Sequence, residues 1–245
     1  MSASAYLTIS VQALEKLAAT QRENIANAAE LLVQSIVAGR RIYSFGASHS
    51  FMMTEEMVYR TGGLMLVNPI YPHGMNPSVR PATLTSKLER LPGFGRELLD
   101  GSSAGEGDVL ILTSTSGRNA VTIDMALRAR EKKIKTVGIT ALAYVNAVAS
   151  RHPSGKKLPD LCDLVIDNCV PYGDAAVEVP GFDQKIGPLS SLTGIAIVNA
   201  LTADVVSRLV ARGMVPPVFI SANVDGGDEH NARLLRQYRD RIEYL

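Results

Sequence analysis

Apolar residues in the first forty positions recur at helical spacing: Leu7, Val11, Leu14, Ile25, Ala28, Leu32 and Ile36. The pattern predicts one long helix or two shorter ones over residues 5–39, with Gly39 as the stop. Beyond it the period changes. Short, nearly continuous apolar runs at 41–45, 64–67, 108–113, 135–140 and 163–167 predict strands, with a further short one at 218–221. Helical patterns fall between them, at 50–62, 119–132, 143–150 and 188–212, with a helical piece near 95–99 and a last helix over 232–241. Such alternation predicts βαβ units and a parallel sheet. Val109-Leu110-Ile111-Leu112 offers no polar face, as expected of a strand covered on both sides. The expected fold class is therefore α/β: a five-stranded parallel sheet flanked by helices, a three-layer sandwich of the flavodoxin or Rossmann kind.

Two of the strand-to-helix junctions carry hydroxyl-rich loops. The first is Gly46-Ala47-Ser48-His49-Ser50, and the second is Thr113-Ser114-Thr115-Ser116-Gly117-Arg118-Asn119. The first turn of a helix leaves backbone N–H groups unpartnered, and the helix dipole places partial positive charge there. Ser and Thr hydroxyls add donors. One such loop is commonly only a helix cap. Two of them, at the C-terminal ends of parallel strands where open α/β sheets bind ligands, predict one phosphorylated small molecule held between them. Neither loop has Gly-Lys-Ser/Thr or G-x-G-x-x-G, so nucleotides and dinucleotides are disfavoured.

Three stretches lack periodicity: 68–107, 168–187 and 213–231. The expected organisation is a single domain over 1–245, with an N-terminal helical extension (1–40), a long inserted loop (68–107) and a C-terminal tail (213–245). A formal charge of +1 gives no broad attraction to nucleic acid or to an anionic membrane surface. Two cysteines without metal-type spacing read as reduced thiols of a cytoplasmic protein. The N-terminus has no basic region followed by an apolar core, so no secretory signal is expected. No ligand spacing for a metal is present, and neither a metal nor a cofactor is expected.

The order strand, Gly-Ala-Ser-His-Ser, helix, then strand, Thr-Ser-Thr-Ser-Gly-Arg-Asn, helix resembles the sugar isomerase (SIS) domain family over residues 5–212. Ser114-Thr115-Ser116-Gly117 matches that family's Ser-x-Ser-Gly element, and Arg118 departs from the Thr or Asn usual after it. Glu55-Glu56-Met57-Val58-Tyr59-Arg60 with Gly62-Gly63, and Asn223-Val224-Asp225-Gly226 with His230-Asn231, resemble a branch of stand-alone members, some linked to dehydration of N-acetylglucosamine 6-phosphate. The resemblance implies that Ser48, His49, Ser50, Thr113, Ser114, Thr115, Ser116, Gly117, Arg118 and Asn119 bind the sugar phosphate. It also implies a homodimer in which a C-terminal element of a neighbouring subunit completes the site.

Phosphosugar chemistry needs a base beside a carbonyl and an acid for the departing or charged oxygen. Glu55 and Glu56 follow the first loop and are the candidate bases; adjacent helix positions diverge by about 100°, so only one faces the sheet edge. A local Glu56–Arg60 pair would favour Glu55. His73, in Tyr71-Pro72-His73-Gly74, and His230 are candidate acids, while His152 reads as plain surface. The functional expectation is conversion of an amino-sugar 6-phosphate, by dehydration of N-acetylglucosamine 6-phosphate. Aldose–ketose isomerisation and non-catalytic phosphosugar sensing are the alternatives.

Overall fold

The computed structural model describes residues 2–245. Two helices open the chain, α1 (Ser2–Thr20) and α2 (Arg22–Val37). They part at Gln21, whose side-chain oxygen accepts the Asp167 N–H at 3.0 Å and so ties the break to the sheet. The remaining elements are β1 (Ile42–Gly46), α3 (Phe51–Met57), β2 (Val67–Pro69), α4 (Leu84–Leu88), α5 (Phe94–Asp100), β3 (Val109–Thr113), α6 (Ala120–Glu131), β4 (Lys135–Thr140), α7 (Leu142–Ala147), β5 (Leu164–Asp167), β6 (Ala175–Val179), β7 (Phe182–Pro188), α8 (Ser190–Ala211) and α9 (Gly227–Gln237). Strands β1 to β5 form one parallel sheet in the order β2-β1-β3-β4-β5. The expected five-stranded three-layer α/β fold is the one observed.

Period-two alternation divides the core between the two faces of the sheet. Val109 and Ile111 of β3 join Ile42, Val137 and Ile166 in a cluster with Leu32, Ile36, Ile197 and Leu201 of α2 and α8. Leu110 and Leu112 point the other way, with Tyr43 and Phe45, toward Leu99 of α5 and Ile123 and Ala126 of α6. By length and composition α8 could cross a membrane. Here its positions Ile197, Val198, Leu201, Val205 and Leu209 pack in the first of these clusters.

Several boundaries differ from the sequence expectations. Helix α3 ends at Met57, well short of residue 62, because Val58 turns extended at ψ 132° and Tyr59 then takes the left-handed region at φ 49°. The strand expected at 64–67 lies at 67–69, and the one at 218–221 shrinks to a single antiparallel bridge between Leu64 and Val218. The irregular segment 68–107 contains α4 and α5. Residues 168–187 contain the antiparallel hairpin β6–β7. Its Pro180-Gly181 turn was a legible signal, but β7 is exposed along nearly its whole length, so no buried face marked it as a strand.

Candidate active site

The strand order reverses between β1 and β3, and a doubly wound sheet opens its ligand crevice at such a point. Gly46 pairs with Thr113 across these strands, so both hydroxyl loops leave the sheet side by side. Between them lies a cleft of about 420 Å³, within the range of small-molecule sites. Ser48, His49, Ser50, Thr113, Ser114, Thr115, Ser116 and Asn119 line it, as do Glu89, Thr122, Tyr144, Asp174, Ser190 and Ser191.

The first loop folds tightly back on its strand. A Cβ at Gly46 would stand 2.2 Å from the Ser50 carbonyl oxygen, so only glycine fits. Ser48 is held at φ 55°, a conformation that L-residues seldom adopt outside strained or functional positions. Its N–H donates to the Met75 carbonyl at 2.8 Å, and its hydroxyl stands 3.4 Å from His49 Nδ1.

The second loop is anchored to β4. Thr140 Oγ1 donates to the Ser114 carbonyl at 2.6 Å. Gly117 takes φ 60°, and its N–H returns to Ser114. This arrangement leaves donors facing the cleft. Among the described residues, neither Thr115 N–H nor Ser116 N–H has a backbone carbonyl partner. Thr113 is 1% exposed, and its buried hydroxyl has no partner at all. A buried polar group without a partner calls for a specific explanation, and this one stands in the wall of the cleft.

Helix α6 starts at Ala120, yet Asn119 does not use its side chain to cap it. The amide donates instead to Glu89 at 2.6 Å and accepts from Arg151 Nη1 at 3.1 Å. Glu89 closes α4, and its carbonyl accepts the Val121 N–H at 3.1 Å. Burial pushes the Glu89 carboxyl above the usual carboxylate range, and Asn119, Arg90, Arg151 and His49 only partly oppose it. The other carboxylate in the cleft wall is Asp174. It accepts from Leu189 N–H, Ser190 N–H and Ser190 Oγ at 2.6–3.0 Å, and is thereby committed to the start of α8.

The remaining candidates stand elsewhere. Gly117 and Arg118 lie in the second loop but do not line the cleft. Glu55 is exposed in a separate shallow depression with Val58 and Tyr71. Glu56 pairs with Arg60 at 3.1 Å and accepts from Asn199 at 3.0 Å. His73 is exposed beside Pro69, Tyr71 and Glu97. His230 stands 3.3 Å from the Val218 carbonyl and 3.1 Å from Arg233. None of these four side chains reaches the cleft of a single chain. His152 is not plain surface: its side chain is 10% exposed and meets Asp124 at 2.9 Å. Among the described residues no cluster of metal-ligating side chains occurs.

Glu89, Tyr144, Asp174 and Ser190 escaped the sequence reading. Glu89 sits in the charged run Lys87-Leu88-Glu89-Arg90, which looks like a solvated helix end. No spacing in the sequence pairs it with Asn119.

A model of the SIS domain matches residues 5–141. A UPF0309 protein of Shouchella clausii is 43% identical over 223 residues, 91% of each chain. Among solved structures, phosphoheptose isomerase from Neisseria gonorrhoeae superposes with a TM-score of 0.54 at 18% identity, over 84% of this chain and 97% of that one. The NanR protein of Vibrio vulnificus, solved with ManNAc-6P, superposes at 0.51 and 13% identity, over 97% of this chain and 69% of that one. The chain belongs to the SIS domain family, among its UPF0309 members.

Proposed function

We propose that this protein is a phosphosugar-converting enzyme whose base is Glu89. The observation that carries the proposal is the pairing of two things in one cleft: a seat of neutral donors, and the only cleft-lining carboxylate not committed to capping a helix. The phosphate dianion sits against the α6 N-terminus, with the Ser48, Ser50, Thr113, Ser114 and Ser116 hydroxyls and the Thr115 and Ser116 N–H groups as donors. The fold neighbours support this reading, since one is a phosphoheptose isomerase and another was solved with a sugar 6-phosphate.

With the phosphate so held, C2 of an open-chain aldose lies toward Glu89. Its raised proton affinity suits removal of the hydrogen beside the carbonyl. In an N-acetylamino sugar, the C2–H electron pair then forms a C2=C3 double bond. The C3 hydroxyl leaves as water after taking a proton, which His49 at the cleft rim supplies. This is the dehydration of N-acetylglucosamine 6-phosphate. In a 2-hydroxy sugar, return of the proton to C1, with the O2 hydroxyl proton passing to O1, gives aldose–ketose isomerisation, the reading that the isomerase neighbour favours. Glu55, Glu56, His73 and His230 enter only through a second copy of the chain in a homodimer.

The test is incubation with N-acetylglucosamine 6-phosphate, with loss of one water followed by mass spectrometry. Glucose and heptose phosphates in deuterated water would reveal isomerisation by exchange at C2. Thermal stabilisation by a sugar phosphate without any turnover would establish a sensor instead.

A further inference from the structure

We infer that Tyr144 forms an acyl subsite in the cleft: its ring receives the methyl group of an N-acyl substituent on C2, which makes the substrate an N-acylated 2-amino-sugar phosphate. This rests on the phosphosugar reading and narrows its substrate class. The cleft is lined by hydroxyls, an amide and carboxylates almost all round. Tyr144 and Pro188 are the lining residues whose side chains are mainly hydrocarbon and larger than a methyl group. They give a polar cleft one apolar wall, of the kind that fixes a ligand's apolar part while convergent polar groups fix the rest.

That wall is held rigidly. Strand β4 lies next to β3, and α7 starts two residues after β4 ends. Ala141 N–H donates to the Thr115 carbonyl at 3.0 Å, which ties the start of α7 to the second loop, and Leu142 N–H donates to Asp167 at 3.0 Å. The half-buried Tyr144 packs on the cluster of Ala13, Ala141, Val170 and Leu189. Tyr172 stands beside it with ring centroids 4.9 Å apart and planes inclined at 56°, an attractive arrangement for two aromatic rings. The turn that carries Tyr172 is closed by Asp174 N–H on the Pro171 carbonyl at 3.1 Å, and the Pro188 carbonyl accepts the Tyr6 hydroxyl at 2.9 Å. With the phosphate in the loops that end β1 and β3, and the C2 hydrogen at Glu89 on the α6 side, tetrahedral C2 turns its nitrogen toward a different wall. Over β4 that wall is Tyr144. A hydroxyl on C2 has no methyl group to place there.

The experiment is isothermal titration of the full chain with three open-chain probes that have no carbonyl and so cannot react: glucitol 6-phosphate, N-formylglucosaminitol 6-phosphate and N-acetylglucosaminitol 6-phosphate. The last two differ by one methyl group. The acetyl probe is expected to bind at least threefold more tightly than the formyl probe, the order of effect of one methyl group on an apolar wall, and more tightly still than glucitol 6-phosphate. In Tyr144→Ala the acetyl-over-formyl margin should disappear, and in Tyr144→Phe it should persist, since the ring and not the hydroxyl makes the contact. In the wild-type complex the acetyl methyl proton resonance should move upfield under the ring current, and in Tyr144→Ala it should not. Equal affinity for all three probes overturns the acyl subsite while leaving the phosphosugar reading intact. A margin that survives Tyr144→Ala, or a methyl resonance that does not move in the wild type, overturns it equally. Should Tyr144→Ala fail to fold, the wild-type affinity series and the methyl shift decide by themselves. Silent titrations with all three probes sink the phosphosugar reading and this inference together.

Discussion

The Asn119 amide donates to the Glu89 carboxylate at 2.6 Å, across thirty residues of sequence. This one bond joins the inserted segment before β3 to the N-terminal end of α6. It takes the capping residue of α6 away from its own helix and aims it at a half-buried acid. The Glu89 carbonyl, bonded to Val121 N–H, makes the junction two-stranded. The position of the proposed base is thus set by the same helix whose N-terminus is proposed to hold the phosphate.

Glu89→Gln should lower kcat by about 100-fold or more, the usual contribution of a positioned base, with KM little changed. In the wild type kcat/KM should rise with pH through a value above the ordinary glutamate range, because burial raises the carboxyl. The stability effect has the opposite sign to the activity effect. A carboxyl with a raised folded-state pKa binds more protons folded than unfolded, so stability falls as pH rises from the ordinary value to the raised one. Glu89→Gln should therefore melt higher than wild type at pH 7–8, by roughly 1–3 °C. The difference should vanish near pH 4. Thermal melts of both proteins across pH check it, and a wild type that is the more stable at pH 8 would contradict the burial argument.

Asn119→Ala removes a hydrogen bond that favours the ionised Glu89. The acid limb of the kcat/KM profile should move to higher pH, and activity near pH 6 should fall further than activity at pH 8. Asn119→Asp should move the limb the same way, since a second carboxylate opposes ionisation of the first. Matched pH–rate profiles decide; an unmoved limb means another group titrates there.

Gly95→Ala should loosen the inserted segment from α6. A Cβ there would stand 1.8 Å from the Val121 carbonyl oxygen, and backbone cannot give way as a side-chain tip can. Overpacking of this kind costs about 1–3 kcal/mol or more. Denaturant melts should show the loss. Because Glu89 rides on the same segment, kcat should fall as well even at temperatures where the chain stays folded.

Asp174→Ala strips three hydrogen bonds from the start of α8. A lost cap of this type costs about 1–2 kcal/mol. The chain should be less stable, with the pH limb assigned to Glu89 unmoved, which distinguishes the two cleft carboxylates by role. A displaced limb would show that Asp174 takes part in the proton transfer.

Local pattern carried much of this protein. Apolar runs such as Val109–Leu112 mark buried strands because each backbone rise turns the side chain to the opposite face, and both faces here are covered. Helical spacing marked α2, α6 and α8, whose apolar positions meet the sheet. The two hydroxyl loops were legible because strand, short polar turn and helix follow one another within a few residues. The hairpin β6–β7 was harder to see, since an exposed strand leaves little apolar alternation to read.

The sequence by itself determined the parallel α/β fold and the two hydroxyl loops that flank its cleft, since both arise from contacts or periodicities a few residues long. Tertiary structure alone decided which acid stands in that cleft. Glu55 and Glu56 are near the first loop in sequence, but α3 carries them away from the cleft. Glu89 is distant in sequence, but Gly95 against Val121 and the Asn119 amide bring it in. A long insertion has no local signal for where it docks; its place is set by steric fit and hydrogen bonds to a helix thirty residues away.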